Sequence, residues 1–486
     1  MSPSPSTDME DMAASAAPFR VTTDASKGRC AVASRRLAAG STLLVAPAFA
    51  AVSTTSCNGC LVPPAGARLQ RCSGCRLARY CSRQCQRRDW TDGLHALECS
   101  AWKTVPLDRR ETAAQTLLLV LRLAARLWFH RAPSGTDADD VLALRAHADD
   151  HSAAQLHEFE HMARLVLALL ARSKFVGPSS DLATLERRWL PDVVRLFCRV
   201  NCNAFTVCDD VNRATGLGVF PQAALLNHSC APNCVVSFEA PARARVRVIR
   251  DVQAGDELTI SYVELFESTP RRRDVLRRSY FFHCRCPRCE RAAAEPSEDQ
   301  WLDGYQCADA ACREGVAVVE PAEAALVCVT CRRKGRSLAE LEPLEARWRS
   351  LRATGANAAE QWRRLRDAWA FASETLRLHA RNARLAALAR DLGNHAIDHK
   401  PEGTTAIDWL QREWEATRWL LPALALPSRG LLHFQLAKLY REERRDQQAI
   451  DHFRRALETL AVAYGREHPL VLTIEALLHE SMRDPS

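Results

Sequence analysis

The chain has 486 residues, enough for about three domains. With 47% apolar and 26% charged residues, it can bury real cores, which excludes wholesale disorder. Lys and Arg number 66 against 58 Asp and Glu, a formal net charge of +8, which permits an acidic partner surface without demanding nucleic acid.

Residues 1–17 are mainly Ser, Ala, Pro and acids. They are expected to form a disordered tail and not a targeting segment. The chain carries 20 cysteines, and without a secretory signal these point to metal sites and not to disulfides.

Eight ligand-type residues fall at 57–99: Cys57, Cys60, Cys72, Cys75, Cys81, Cys85, His95 and Cys99, in the order C-x2-C-x11-C-x2-C-x5-C-x3-C-x9-H-x3-C. A C-x2-C knuckle presents two thiolates at the bite a tetrahedral zinc needs. Cys81 and Cys85 are four apart, as are His95 and Cys99, so on helices each pair would share a face. Eight ligands suit two zinc ions, and sequential or interleaved pairing both satisfy the count. From Cys57 to Lys103 there are seven Arg and one Lys against three acids, a charge that either offsets thiolates or meets a partner.

Leu117, Val120, Leu121, Ala124 and Trp128 follow helical spacing. The apolar run Leu117 to Phe129 carries Arg122 and Arg126, so no membrane span is expected. After the apolar run Ala223 to Leu226, Asn227-His228-Ser229-Cys230-Ala231-Pro232-Asn233 reads as a polar turn. Val235 to Phe238 and Arg245 to Ile249 read as a strand pair. Gly255-Asp256 then marks a turn, and Leu258, Ile260 and Tyr262 alternate onto one strand face.

Cys284, Cys286 and Cys289 supply three thiolates and leave a tetrahedral position for a distant cysteine. Cys307, Cys312, Cys328 and Cys331 have the spacing of a zinc ribbon, with Val327 to Cys331 as a strand running into a knuckle. From about residue 338 the chain is helical, and Leu436, Ala437, Tyr440, Ala449, Phe453 and Ala456 fall at the positions of one tetratricopeptide-like helix pair.

The 57–99 window resembles the MYND zinc finger. The segments Asn227 to Asn233 and Gly255 to Tyr262 resemble the N-H-S-C-x-P-N and G-(D/E)-E-L-x-I-x-Y motifs of the SET-and-MYND-domain family of protein lysine methyltransferases. Ser26 to Cys30 with Leu37 to Val45, Cys202 to Thr206, Gly216 to Pro221 and Tyr464 to Pro469 match further family segments, so the resemblance spans roughly 18–480. It implies an α+β multidomain fold in which a β-rich SET domain is interrupted by a MYND finger and a helical insert. A post-SET zinc site, a zinc ribbon and a C-terminal α-helical tetratricopeptide-like domain follow. The expected boundaries are a tail at 1–17, the first SET part at 18–56, MYND at 57–99 and the helical insert at 100–197. The SET core follows at 198–267, the post-SET segment at 268–292, the ribbon at 300–336 and the helical domain at 337–486.

By the same resemblance, Cys57, Cys60, Cys81 and Cys85 hold one zinc, and Cys72, Cys75, His95 and Cys99 a second. Cys230 joins Cys284, Cys286 and Cys289 on a third, and the ribbon takes a fourth. Lys27, Gly28, Arg29, Asn203, Asn227 and His228 bind S-adenosylmethionine, Tyr262 is catalytic, and Tyr280 and Phe282 wall the lysine channel. The family often places a carboxylate of the helical insert near the cofactor; here Arg145 stands in that neighbourhood, with Asp149 and Asp150 nearby, and Ser26 replaces the glycine before the opening loop. Cys30, Cys198, Cys202, Cys208 and Cys234 remain and are expected to pack as small apolar residues.

The implied activity is cofactor-dependent methylation of histone and/or non-histone lysines. Expected partners are a protein substrate, peptides for the MYND and helical domains, and nucleic acid as a candidate for the basic MYND patch. A monomer with no membrane association is expected, in the nucleus and cytoplasm. The alternative from another class is a catalytically weak adaptor that recruits partners through MYND and the helical domain. Intact Tyr262, Asn227 and His228 favour the enzyme.

Overall fold

The computed structural model describes residues 17–483 apart from 65–67, 93, 130–135, 177–180, 295–297, 352–354, 356 and 400–404. The expected tail therefore lies, save for Ala17, outside the described residues. The chain divides into two compact units: Met1–His228 with Asn233–Ile260 and Arg278–Phe281, and Ser229–Pro232 with Ser261–Arg277 and Phe282–Ser486.

In the first unit, Phe19–Asp24 and Gly28–Ala33 form an antiparallel hairpin. Asp24 closes its turn by accepting from the Ser26 and Lys27 amides at 2.8 and 2.9 Å. The second strand also meets the 255–258 segment, with Ala33 N donating to Asp256 O and Leu258 N to Ala31 O. The expected strand pair is present as Cys234–Glu239 with Arg243–Val248, and Thr42–Pro47 completes that sheet. Ala244, Val246 and Val248 alternate inward and are buried, as a half-buried strand requires. Ala50–Val52, Ala214–Val219 and Ala204–Cys208 form another antiparallel sheet.

One expected strand is shorter than its pattern. Only Thr259–Ile260 pairs, in parallel, with Asn227–His228. Leu258 spends its amide on Ala31, and the Ser261 hydroxyl donates to Val263 O at 2.7 Å, so Tyr262 lies beyond the strand.

The cysteine-rich segment contains a short hairpin, Gln70–Arg71 with Arg79–Tyr80, and the helices Arg83–Thr91 and His95–Lys103. His95 and Cys99 share one helix as expected. Cys81 does not join Cys85 on the other, because Ser82 caps it by accepting from Cys85 N at 3.1 Å. The helices Gln115–Ala124, Ala153–Ala171 and Leu182–Asn203 follow. The last runs through the expected boundary at 197. Leu119, Leu121, Leu123, Leu167, Leu196 and Phe197 are fully buried in their core. No helix among the described residues is long and apolar enough to cross a membrane.

Arg122, in that core, is the least expected element. Its guanidinium donates to Glu98 at 3.0 and 3.2 Å, to Asp89 at 3.3 Å and to the Ala51 carbonyl at 3.1 Å. Tyr80 donates to the same Asp89 carboxylate at 2.7 Å. The two acids come from the two short helices of the cysteine-rich segment, so one buried arginine ties that segment to the helix Gln115–Ala124.

The second unit carries a four-stranded antiparallel sheet in chain order, Tyr305–Gln306, Val316–Glu320, Ala325–Cys328 and Lys334–Ser337. It continues as helices, ending with Pro427–Glu442, Asp446–Ala463 and Pro469–Arg483. Leu436, Ala437, Tyr440, Ala449, Phe453 and Ala456 are all buried.

Removing one partner of a buried charge cluster leaves the others unpaired in a low dielectric, at a cost of about 3–5 kcal/mol. Arg122→Ala should therefore lower stability by roughly that amount, read as a fall in the denaturant midpoint. An unchanged midpoint would show that the cluster does not hold the segment.

Candidate functional site

Four groups of ligand atoms converge: Cys57, Cys60, Cys81 and Cys85; Cys72, Cys75, His95 and Cys99; Cys230, Cys284, Cys286 and Cys289; Cys307, Cys312, Cys328 and Cys331. Within each group the atoms lie within 4.8 Å of one another. The first two interleave along the chain. Representative sulfur separations are 3.7 Å for Cys60–Cys81, 3.8 Å for Cys72–Cys99, 3.5 Å for Cys230–Cys289 and 3.9 Å for Cys312–Cys328. A zinc with Zn–S bonds of about 2.3 Å sets a tetrahedral edge of about 3.8 Å, whereas a disulfide would need about 2.05 Å. These donor sets fit tetrahedral zinc.

The surroundings support the same reading. His95 presents Nε2 to Cys75 at 3.5 Å, and its Nδ1 lies 3.8 Å from Glu98, the carboxylate that Arg122 holds. An outer carboxylate of this kind orients a ligating imidazole. At the third cluster, buried Arg272 lies 3.9 Å from Cys289 Sγ. Arg273 donates to the Cys284 and Cys289 carbonyls at 3.1 and 3.3 Å, and Arg288 to the Cys230 carbonyl at 3.0 Å. A zinc on four thiolates has a formal charge of about −2, which this collar of cations offsets. At the fourth cluster a Cβ on residue 315 would fall 2.4 Å from Cys312 Sγ and 2.8 Å from Cys328 Sγ; only glycine leaves room there.

A separate group gathers around Gly28 in the first unit. Asn227 Nδ2 donates to Arg29 O at 3.0 Å, to Cys30 Sγ at 3.2 Å and to Glu257 Oε1 at 2.9 Å. Lys27 Nζ reaches the other oxygen of Glu257 at 2.6 Å, and this bond raises the lysine pKa. Burial, with the Glu257 charge adding to it, pushes the Cys30 thiol up to about 11, so it stays a thiol. Asn203 Nδ2 donates to the Arg145 and Arg199 carbonyls at 2.9 and 2.8 Å. Both amides are anchored through Nδ2. Gly28 has φ +79°, and a Cβ there would meet Arg145 Nη2 at 3.1 Å. The loop is bordered by amides and cations, with the Arg145 guanidinium against Gly28, a donor set that fits a polar cofactor with an amino-acid end.

Of the expected site residues, Lys27, Gly28, Arg29, Asn203 and Asn227 join this network, and His228 is in register with Ile260 beside it. Tyr280 is in the same unit. Burial, with Cys202 nearby, raises its hydroxyl above the ordinary value. The next residue, Phe281, packs its ring 5.4 and 4.6 Å from those of His147 and His151. Tyr262 and Phe282 belong to the second unit. Cys30, Cys198 and Cys234 are buried, and Cys202 and Cys208 are half-buried.

The SET domain family matches residues 28–263. Among curated proteins, the histone-lysine N-methyltransferase ASHR1 of Arabidopsis thaliana is 32% identical over 63% of this chain and 62% of its own. The N-lysine methyltransferase SMYD2 of Mus musculus is 36% identical over 54% of this chain and 58% of its own. The chain carries a SET domain and is similar to these lysine methyltransferases. Its match spans about three-fifths of the length of these relatives. A solved SET domain described as bound to lysine and AdoHcy aligns over 88% of both chains, at 14% identity and a TM-score of 0.30, too distant to bear on the site.

Three contributors to these sites escaped the sequence reading. Glu257 sits inside the Gly255 to Tyr262 motif, in which the sequence reading gave a site role to Tyr262 alone. Arg272 and Arg122 are arginines in polar or apolar helices, and no spacing signals their burial beside thiolates or carboxylates. Losing an outer partner typically costs a metal site 10–100-fold in affinity (about two decades at most). Arg272→Met should therefore release one metal equivalent to a competing chelator that the native protein withstands. Equal release by both would show that the collar does not tune the cluster.

Proposed function

We propose that this chain is an S-adenosylmethionine-dependent protein-lysine N-methyltransferase acting on histone and/or non-histone lysines. The observation that carries the reading is the network of Lys27, Arg29, Asn203, Asn227 and Glu257 around Gly28. When bound, the cofactor supplies a methyl group made electrophilic by its sulfonium. Lys27, Gly28 and Arg29 line its site, while Asn203 and Asn227 offer Oδ1 acceptors to its ammonium and His228 flanks them.

The incoming lysine must be neutral to act as a nucleophile. In water only about one part in a thousand is neutral near pH 7.4. Tyr280 and Phe282 are assigned to the channel, where apolar ring faces disfavour the charged amine and lower its pKa. Tyr280 stays uncharged there, because its hydroxyl is raised by burial. Tyr262 is assigned to orient the amine through its hydroxyl, and alignment supplies much of the remaining rate.

In this reading the interleaved clusters are the two zinc sites of a MYND finger and the third is the post-SET zinc. The fourth is a ribbon zinc, and the terminal helices are tetratricopeptide-like. MYND and the helical region recruit peptides, and the basic MYND face is a candidate for nucleic acid. The protein works as a monomer in nucleus and cytoplasm.

Elemental analysis of chelator-washed protein should give four zinc per chain; two or fewer would remove the third and fourth assignments. Tyr262→Phe keeps the ring and deletes only the hydroxyl. Single-turnover methyl transfer should fall by two to three orders of magnitude, since one oriented group near the reacting atoms contributes about 2.7–4 kcal/mol, while cofactor affinity stays level. Equal rates at equal affinity would take Tyr262 out of the mechanism. A wild type that binds no cofactor and transfers nothing would return the chain to the adaptor reading.

A further inference from the structure

Four consecutive carbonyls, those of Leu142, Ala143, Leu144 and Arg145, are each held by a side-chain donor. Arg199 donates to Leu142 O at 2.9 Å and to Leu144 O at 3.1 Å. Arg29 donates to Ala143 O at 3.1 Å, and Asn203 to Arg145 O at 2.9 Å. The helix Thr136–Leu142 ends here. A helix C-terminus leaves carbonyls unpaired and favours cations, so the arrangement is locally stabilising. Its consequence is positional. Two of the three clamping residues, Arg29 and Asn203, already belong to the network around Gly28, so the clamp registers Arg145 against that same loop.

The Arg145 side chain lies flat over Gly28. Its Nη2, Cζ and Nε atoms are 3.1, 3.4 and 3.4 Å from where a Cβ at residue 28 would stand, so the guanidinium presents its face to the glycine and its donor edge elsewhere. Among the described residues no carboxylate pairs with it, although Lys27 beside it is paired with Glu257. The position is exposed, so Arg145 is not a buried structural cation. It is a charged fork, oriented by its neighbours and left without an anion at the edge of the cradle.

We propose that Arg145 takes the carboxylate of the cofactor's amino-acid end, as a specificity-determining residue of the cofactor site. This rests on the reading of that site as one for S-adenosylmethionine. The cofactor has a single anionic group. A guanidinium matches a carboxylate with two parallel N–H···O bonds, a geometry a lysine cannot reproduce. Lys27 is already neutralised by Glu257, and Arg29 is turned to a backbone carbonyl. The ammonium of the same ligand then falls to the Oδ1 acceptors of Asn203 and Asn227, so the two charges of one amino-acid group meet opposite partners.

The test is calorimetric titration of the full chain with S-adenosylmethionine and with decarboxylated S-adenosylmethionine, which keeps the sulfonium, amine, ribose and adenine. Arg145→Gln should weaken the first about tenfold or more, the scale of a lost charge-assisted pair, and change the second less than about twofold. Arg145→Lys should recover part of the loss. The melting temperature of both variants should match wild type, because the side chain is exposed. Equal weakening for both ligands would place the contact on ribose or adenine and overturn the proposal, as would an unchanged affinity for the first. Failure of the wild type to bind either ligand would remove the cofactor reading of the site, and this proposal with it.

Discussion

Two asparagine amides on one short segment hold the centre of the first unit together. Asn227 donates to the Glu257 carboxylate and to Arg29 O. Asn233 donates to Glu257 O at 2.8 Å and accepts from Thr259 N at 2.8 Å. A parallel pairing of only two residues on each side has little stability of its own. Here it is fixed because both amides grip the same stretch of chain and because Asn233, at 5% exposure, does so away from competing water. The loop at Gly28 is bound into the same arrangement through Arg29, so the proposed cofactor site depends on these bonds.

The cysteine-rich parts follow a different physics. The two-residue strands and nine-residue helices of the 57–103 segment bury Tyr80, Leu94 and Trp102 in the core shared with the following helices. The cysteine clusters add to that core, and metal bound there would become folding free energy. The protein treats the resulting charge differently at each place. The third cluster is ringed by Arg272, Arg273 and Arg288. The second relays its imidazole through Glu98 to Arg122. That relay also anchors the segment to the helical core, so one interaction serves both the metal site and the fold.

Much of this was legible in the residues. Ligand spacing marked the cysteine windows, since a knuckle constrains neighbours along the chain; the interleaved pairing and Cys230 as a fourth ligand came only from the resemblance. The strand pair around Val235 and Val246 showed in its alternation. The strand carried on to Tyr262 was overextended, because alternation marks a face and not where hydrogen bonding stops; Ser261 turns the chain first. Arg122 read only as a charge that ruled out a membrane span. Its partners are 24 and 33 residues away, and no local pattern encodes a bond of that reach. Arg145 was visible as a departure from the family, but its place over Gly28 depends on a clamp drawn from three distant stretches of chain.

The most direct test is methyl transfer itself. The full-length protein is incubated with isotopically labelled S-adenosylmethionine and a mixture of histones and cell-extract proteins, then the proteins are digested and the labelled positions read by mass spectrometry. The account predicts label on lysine side-chain nitrogens, appearing with time and only when the protein is present. Label on no lysine, although the protein binds the cofactor and carries its zinc, would contradict it.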